Sequence, residues 1–182
     1  MRRVWYALAL LLPVAGCHRA ARTSPGPEPA ATACPPPPLD TRDWRQVADS
    51  ANVSYRLPPD LTERPDTAGP HRWWVGADTH HVLTVGFIHV REHWITLRRV
   101  PSPGMLEMSE CIDSIPGREI LVQTWRMVGG VFRDSQRLDK YDMLALVPIE
   151  PGLTLFLTGG GPERETQILL LAVARTVRIG SR

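Results

Sequence analysis

The chain has 182 residues, with 21 Lys and Arg against 19 Asp and Glu. Residues 1–16 contain Arg2, Arg3 and no acid, so the remainder carries 19 basic and 19 acidic residues. A chain this close to neutrality gives no reason to predict a nucleic-acid partner. Its length suits one domain and a tail.

The N-terminus is organised like an export signal. Arg2 and Arg3 precede an apolar run over residues 4–14, which is too short to span a bilayer as a mature helix. The sequence Val14-Ala15-Gly16-Cys17 then resembles the bacterial lipobox. The alternative is an ordinary secretory signal with an incidental cysteine.

The lipobox resemblance implies cleavage before Cys17 and acylation of its thiol and amine, palmitate included. Several acyl chains anchor a protein stably in a lipid bilayer, where a single chain is marginal. The predicted location is therefore the bacterial cell envelope. His18 follows the cysteine where an aspartate would favour retention, which implies the outer membrane, facing the periplasm, if the source has two membranes.

The cysteine count, in a compartment that permits disulfides, predicts one bond. The three cysteines are Cys17, Cys34 and Cys111, and lipidation of Cys17 leaves a pair. We predict a Cys34–Cys111 disulfide, which would pin the tail to the domain. Two free thiols, or a bond to another chain, are the alternatives.

Residues 18–39 form a predicted tether. They contain seven prolines, four of them consecutive at Pro35–Pro38. Such a segment favours extended polyproline II and acts as a semi-rigid spacer; a proline-rich ligand for a partner domain is the alternative. The predicted organisation is a signal peptide at 1–16, a lipidated cysteine and tether at 17–39, and one domain at 40–182.

The domain begins with short β patterns. Residues 44–51 allow a short helix or a strand, since apolar residues recur at helical spacing before the turn residue Asn52. Residues 60–70 are polar and read as a loop. Alternation or β-branched and aromatic content predicts strands at 53–57, 72–77, 81–90, 94–97, 112–115, 119–128, 141–149 and 153–158.

The last element is a predicted helix. Gly159–Gly161 reads as a flexible connector, because Pro162 lacks an N–H and two following glutamates would repel a bound phosphate. Pro162 suits the first helical position, and Gly180 suits the stop. Strands in series followed by one helix predict an α+β fold, with a mainly antiparallel sheet and a C-terminal helix packed on it.

The order of these elements resembles the PsbP-like family. The segment Val53-Ser54-Tyr55-Arg56-Leu57-Pro58-Pro59 is similar to the opening strand of that domain. The hairpin at 141–158 and the helix running into residues 175–179 are similar to its end. The resemblance implies an α/β/α sandwich around an antiparallel sheet, used mostly as an accessory or binding domain. No functional residue of the family maps onto this chain.

One motif carries possible catalytic chemistry. His89-Val90-Arg91-Glu92-His93 has the H-x-x-E-H spacing of inverted zinc peptidases, in which two histidines one helical turn apart bind zinc. The flanking residues predict strands and not the helix that this geometry needs. His80 and His81 could instead join His89 and His93 in a metal site across strands. We predict surface or half-buried strand histidines, with no metal and no cofactor.

Trp73 and Trp74 alternate, so one indole is expected in the core and the other could form a ligand or partner surface. Arg98 and Arg99 read as a solvated strand end. The prediction from these observations is a non-enzymatic accessory or binding module of the envelope, with an envelope protein as the candidate partner. The alternatives are a metal-dependent hydrolase using His89, Glu92 and His93, and a small-ligand carrier with a deep apolar pocket beside the tryptophans.

Overall fold

The computed structural model describes residues 32–35, 39–65, 71–90, 97–131 and 137–180. The signal peptide, Cys17, most of the tether, Glu92 and His93 lie outside these ranges. Within them the elements are β1 (Thr32–Ala33), β2 (Arg45–Ala48), β3 (Val53–Leu57), β4 (Thr62–Arg64), β5 (Arg72–Val75), β6 (Val82–His89), β7 (Met105–Ile115), β8 (Arg118–Val131), β9 (Arg137–Glu150), β10 (Leu153–Gly161), α1 (Glu165–Arg175) and β11 (Arg178–Ile179).

Eight strands form one sheet, called the large sheet, in the order β1-β7-β8-β9-β10-β6-β5-β4. Every neighbouring pair is antiparallel except β1 and β7, which run parallel. A second sheet, called the small sheet, has the order β11-β3-β2 and is antiparallel throughout. Most connections between the long strands are short, as antiparallel neighbours allow.

The main core lies between one face of the large sheet and a layer made of α1 and the small sheet. On β9 the side chains of Met143, Ala145 and Val147 enter this core, while Leu144 and Leu146 point to the opposite side. Residues of α1 and of β3 join the same cluster of buried side chains. The predicted α+β fold, with a mainly antiparallel sheet and a C-terminal helix packed on it, is confirmed.

The described ranges contain one helix, so the second helical layer of an α/β/α sandwich is not seen among them. That helix has 11 residues. Within the described ranges, no helix is long and apolar enough to cross a membrane. Helix α1 begins at Glu165, with Arg164 as its N-cap, and not at Pro162 as predicted.

The ambiguous segment at 44–51 is strand β2 followed by a tight turn. Ala51 and Asn52 both have φ of 56°, and this left-handed pair reverses the chain into β3. Two successive positive φ values are what a type I′ hairpin turn requires. Local helical spacing was therefore overridden by pairing of β2 with β3.

Three short strands, β1, β4 and β11, and the first half of β7 were not predicted from the sequence. β4 lies in the predicted loop at 60–70, and the first half of β7 lies before the predicted strand at 112–115. The register of β7 shifts between Leu106 and Ser109, where Glu107 has φ of 51°. This bulge breaks the alternation of side chains, so the period of two that identifies a strand is lost. The predicted strand at 94–97 falls mostly outside the described residues.

Gly159–Gly161 is not a flexible connector, because the three glycines form the end of β10. A Cβ on Gly159 would lie 2.1 Å from the carbonyl oxygen of Val82 on β6, and one on Gly160 would lie 2.1 Å from Oδ1 of Asp142 on β9. The glycines therefore allow the backbones and side chains of neighbouring strands to approach closely.

The tail joins the sheet at its β7 edge. Thr32 and Ala33 pair with Cys111 and Ile112, ahead of the predicted domain start at Asp40. The Cys34 amide donates to the Ile112 carbonyl at 3.1 Å. A disulfide joins Cys34 to Cys111, as the cysteine count predicts.

Arg72 ties the large sheet to the small one. Its Nε and Nη2 donate to the Glu63 carboxylate at 2.7 and 2.8 Å, and its Nη1 donates to the carbonyl of Ala48 at 2.8 Å. The hydrogen bond from Arg72 lowers the pKa of Glu63. The Tyr55 hydroxyl donates to Asp49 at 3.1 Å beside this pair. Burial first, and then the charge of Asp49, raise the pKa of Tyr55.

Gly159→Ala tests the close approach of β10 and β6. The new methyl group would meet backbone and not a flexible side chain, so we expect a loss of unfolding free energy of about 1–3 kcal/mol or more, as in overpacked cores. Urea unfolding measures it. Gly180→Ala is the matched control, because its Cβ would meet no atom closer than 3.4 Å. Equal stability of the two variants would contradict the assigned register.

Candidate functional site

The face of the large sheet opposite α1 carries a second apolar cluster. We call this the distal face and define it by Leu121, Trp125, Leu144, Leu146 and Phe156. The period of two along residues 119–128 predicts Leu121, Gln123 and Trp125 on one side and Ile120 and Val122 on the other. The structure confirms that division for the apolar residues of β8.

A cleft of about 340 Å³ lies on the distal face, where β6, β8, β9 and β10 meet residues 99–105. Its apolar lining includes Trp125, Met105 and Met127. Lys140 and Asp142 form an ion pair on its polar side, with Nζ 2.7 Å from Oδ1. The remaining lining residues are Val82, Thr84, Arg99, Ser102, Thr158 and Gly159.

A buried glutamine holds one wall of this cleft. Gln123 has 1% of its surface exposed, although it sits on a sheet face among apolar neighbours. Its Oε1 accepts from the Arg99 amide at 2.6 Å, and its Nε2 donates to the Arg99 carbonyl at 3.2 Å and to Glu110 at 2.8 Å. The side-chain amide thus satisfies both backbone groups of Arg99, as a strand partner would.

The sequence pattern placed Gln123 on the correct face without indicating its partner. A glutamine within an apolar stripe signals a buried polar contact, since an unpaired amide there would be costly. Arg99 was predicted to be a solvated strand end. Its side chain is exposed, and its guanidinium lies 5.8 Å from the Trp125 ring centroid, which is a cation–π distance.

The cleft combines apolar side chains with the exposed guanidinium of Arg99. Methionine and tryptophan adapt to apolar ligands of varied shape, and Arg99 adds a charge that can meet an acidic group. Among the described residues that line the cleft there is no histidine and no cysteine, and Lys140 is already paired. These groups suit recognition of a ligand or partner.

The histidines do not converge in the described residues. His89 ends the extended strand β6, whereas the zinc motif requires a helix at this point. His81 has its Nδ1 2.8 Å from Oδ2 of Asp78. Burial raises the pKa of Asp78, but hydrogen bonds from the His80 and His81 amides and the charge of His81 outweigh it, and the pKa is lowered. No group of three or more potential ligands occurs in the parts of the chain that the structure describes.

His71 was not singled out in the sequence, although its ring is closely packed. Its ring meets Phe156 edge-on with centroids 5.2 Å apart. Its Nδ1 is buried without a hydrogen-bond partner among the described residues. A Cβ on Gly86 would lie 2.3 Å from that nitrogen, so the glycine makes room for the ring. An isolated glycine in a strand pattern was the available signal.

The two adjacent tryptophans divide as predicted. Trp74 is 1% exposed in the core, and the guanidinium carbons of Arg45 and Arg72 each lie 4.9 Å from its ring centroid. Trp73 pairs with Thr84, which lines the cleft. Neither Trp73 nor Trp74 lines this cleft.

Comparisons with known proteins show the fold. No family model matches the chain, and no curated protein matches it. Among solved structures, the Saccharomyces cerevisiae Ran-binding protein Mog1p is 10% identical, with 75% of this chain and 95% of that chain covered at a TM-score of 0.52. Mog1p has a PsbP-like fold, which agrees with the α+β sandwich described above.

Two further structures have TM-scores below 0.5. LpqN, involved in cell envelope biogenesis of Mycobacterium tuberculosis, is 15% identical over 74% of this chain and 82% of that chain, with a TM-score of 0.47. A protein from Bacteroides thetaiotaomicron is 8% identical over 76% of this chain and 49% of that chain, with a TM-score of 0.46. At these TM-scores the two likenesses establish neither a shared fold nor a shared activity.

Proposed function

We propose that this chain is a lipid-anchored protein of the bacterial cell envelope, whose domain acts as a non-enzymatic accessory or binding module. Acylated Cys17 provides the anchor in the bilayer, and residues 18–31 provide the tether. The cleft on the distal face is the surface offered to a ligand or to an envelope protein partner. Placement in the outer membrane, facing the periplasm, follows from His18 if the source has two membranes.

The observation that carries this proposal is the attachment of the tail to the sheet. A disulfide between Cys34 and Cys111 belongs in an oxidising compartment, which agrees with export. The bond lies directly after strand β1, so a pull along the tether is taken up by the edge of the large sheet. This arrangement suits a domain that is held at a membrane by its N-terminus.

A binding role agrees with the chemistry of the cleft. Trp125, Met105 and Met127 offer apolar contact, and Arg99 is held in place by Gln123 through its backbone. A partner segment with one or two apolar side chains and an acidic group would complement these features. The metal-dependent hydrolase gains no support, because His89 lies in an extended strand.

Cys17→Ser tests the anchor. In a bacterium that processes lipoproteins, the natural chain should fractionate with membranes and carry acyl chains on residue 17, as intact mass measures. The Cys17→Ser chain should lack the acyl mass, because the thiol is the acceptor. Cys34→Ser is the control and should still be acylated. Acylation that persists in Cys17→Ser would contradict the proposed anchor.

Site-specific photo-cross-linking tests the binding surface. A photoreactive residue at Ser102, an exposed position lining the cleft, should give a defined cross-linked product in intact cells. Met127→Glu in the same chain should reduce its yield several-fold, because a carboxylate would enter the apolar floor. Exposed Asp60 is the control position. The same products from both positions, with no effect of Met127→Glu, would remove the cleft as the binding surface.

A further inference from the structure

A separate hollow of about 280 Å³ lies between the C-terminal end of α1, strand β3 and residues 39–41. Three arginines line it, and we call it the arginine hollow: Arg56 on β3, Arg175 at the end of α1 and Arg178 on β11. None of the described residues that line the hollow is acidic. Apart from the arginines, the lining residues carry hydroxyl, amide or apolar groups, and they are Leu39, Thr41, Gln46, Ser54, Tyr55, Ala172 and Thr176.

Arg56 and Arg178 are anchored through one nitrogen each. Nη1 of Arg56 donates to the carbonyls of Thr41 and Arg42, both at 3.2 Å. Nη1 of Arg178 donates to the carbonyls of Arg175 at 3.1 Å and Val177 at 2.9 Å. Within the described ranges the Nε and Nη2 groups of both side chains make no hydrogen bond. In each arginine, Nε and Nη2 lie on the same edge of the guanidinium, and this edge can bind an oxyanion with two parallel hydrogen bonds.

The charge balance of the hollow is positive. Arg175 is ion-paired with Asp113 and also donates to the Pro35 carbonyl at 2.9 Å, so it contributes little net charge. Arg56 and Arg178 have no ion pair among the described residues. The C-terminal end of α1 carries a partial negative charge that opposes an anion. The Arg178 guanidinium donates to the carbonyl of Arg175, the last residue of α1, and its charge offsets that effect.

We propose that the arginine hollow binds an oxyanion of the phosphate class, held by the Nε and Nη2 groups of Arg56 and Arg178. A water molecule takes about 30 Å³ of liquid volume, so the hollow has room for a tetrahedral anion and several waters. Hydroxyl groups of Ser54 and Thr41 lie within the same lining. The site is distinct from the cleft, and it requires neither the acyl anchor nor a partner of the distal face.

The phosphate can come from solution or from a lipid headgroup, and the experiment separates the two. The full chain in neutral detergent is titrated with inorganic phosphate at constant ionic strength, and separately with glycerophosphoglycerol, the soluble headgroup of phosphatidylglycerol. Calorimetry gives the Kd, and the Nε–Hε resonances of Arg56 and Arg178 report the site. Binding of inorganic phosphate alone assigns a free anion, and tighter binding of the headgroup assigns a lipid.

Arg178→Gln should weaken binding by at least about tenfold, because a charge-assisted bidentate pair is lost. Arg178→Lys keeps the charge but lacks the planar fork, so it should weaken binding by a smaller factor. Thermal unfolding checks that each variant is folded. Arg64→Gln is the matched control, since it removes the same charge from exposed β4. Absence of binding to either probe, or equal weakening by Arg64→Gln, would overturn the proposal.

Discussion

The connection between the tail and the sheet is the constraint on which the rest of this architecture depends. Parallel pairing of β1 with β7, the Cys34–Cys111 bond and the hydrogen bond from the Cys34 amide all involve the three tail residues 32–34. Arg175 reaches the same place from α1, through Asp113 and the carbonyl of Pro35. Tail, sheet edge and helix are therefore joined at one point, and the tether ends at the edge of the large sheet.

The two faces of the large sheet have different roles. The side with α1 and the small sheet closes the main core and carries the arginine hollow near the end of the tether. The distal face keeps an apolar cleft whose wall depends on a single buried amide, Gln123. Since the cleft is formed by the middle of the sheet and not by the tail, a partner can bind it without disturbing the attachment.

Much of the fold could be predicted from the period of two in side-chain burial. In β8, Ile120 and Val122 lie on the core side, and Leu121 and Trp125 lie on the distal side. This division was predicted correctly, because successive side chains of a long strand point to opposite faces. What failed depended on tertiary contacts. The bulge at Glu107 interrupts the alternation in β7, so half of that strand was not recognised. Gly159 looks like part of a connector in the sequence, but it is a strand residue whose missing side chain lets β10 lie close to Val82 on β6. The partners of Gln123 and the position of His71 come from residues distant in sequence, which no local pattern contains.

The most direct test of this account is the state of the cysteines in the exported protein. Free thiols are alkylated in intact cells, the mature chain is digested without reduction, and the peptides are identified by mass. The account predicts a linked pair of peptides containing Cys34 and Cys111, with neither residue alkylated. Alkylation of both cysteines, or a bond from Cys34 to another chain, would contradict it, because the tether would then lack its covalent attachment to the sheet.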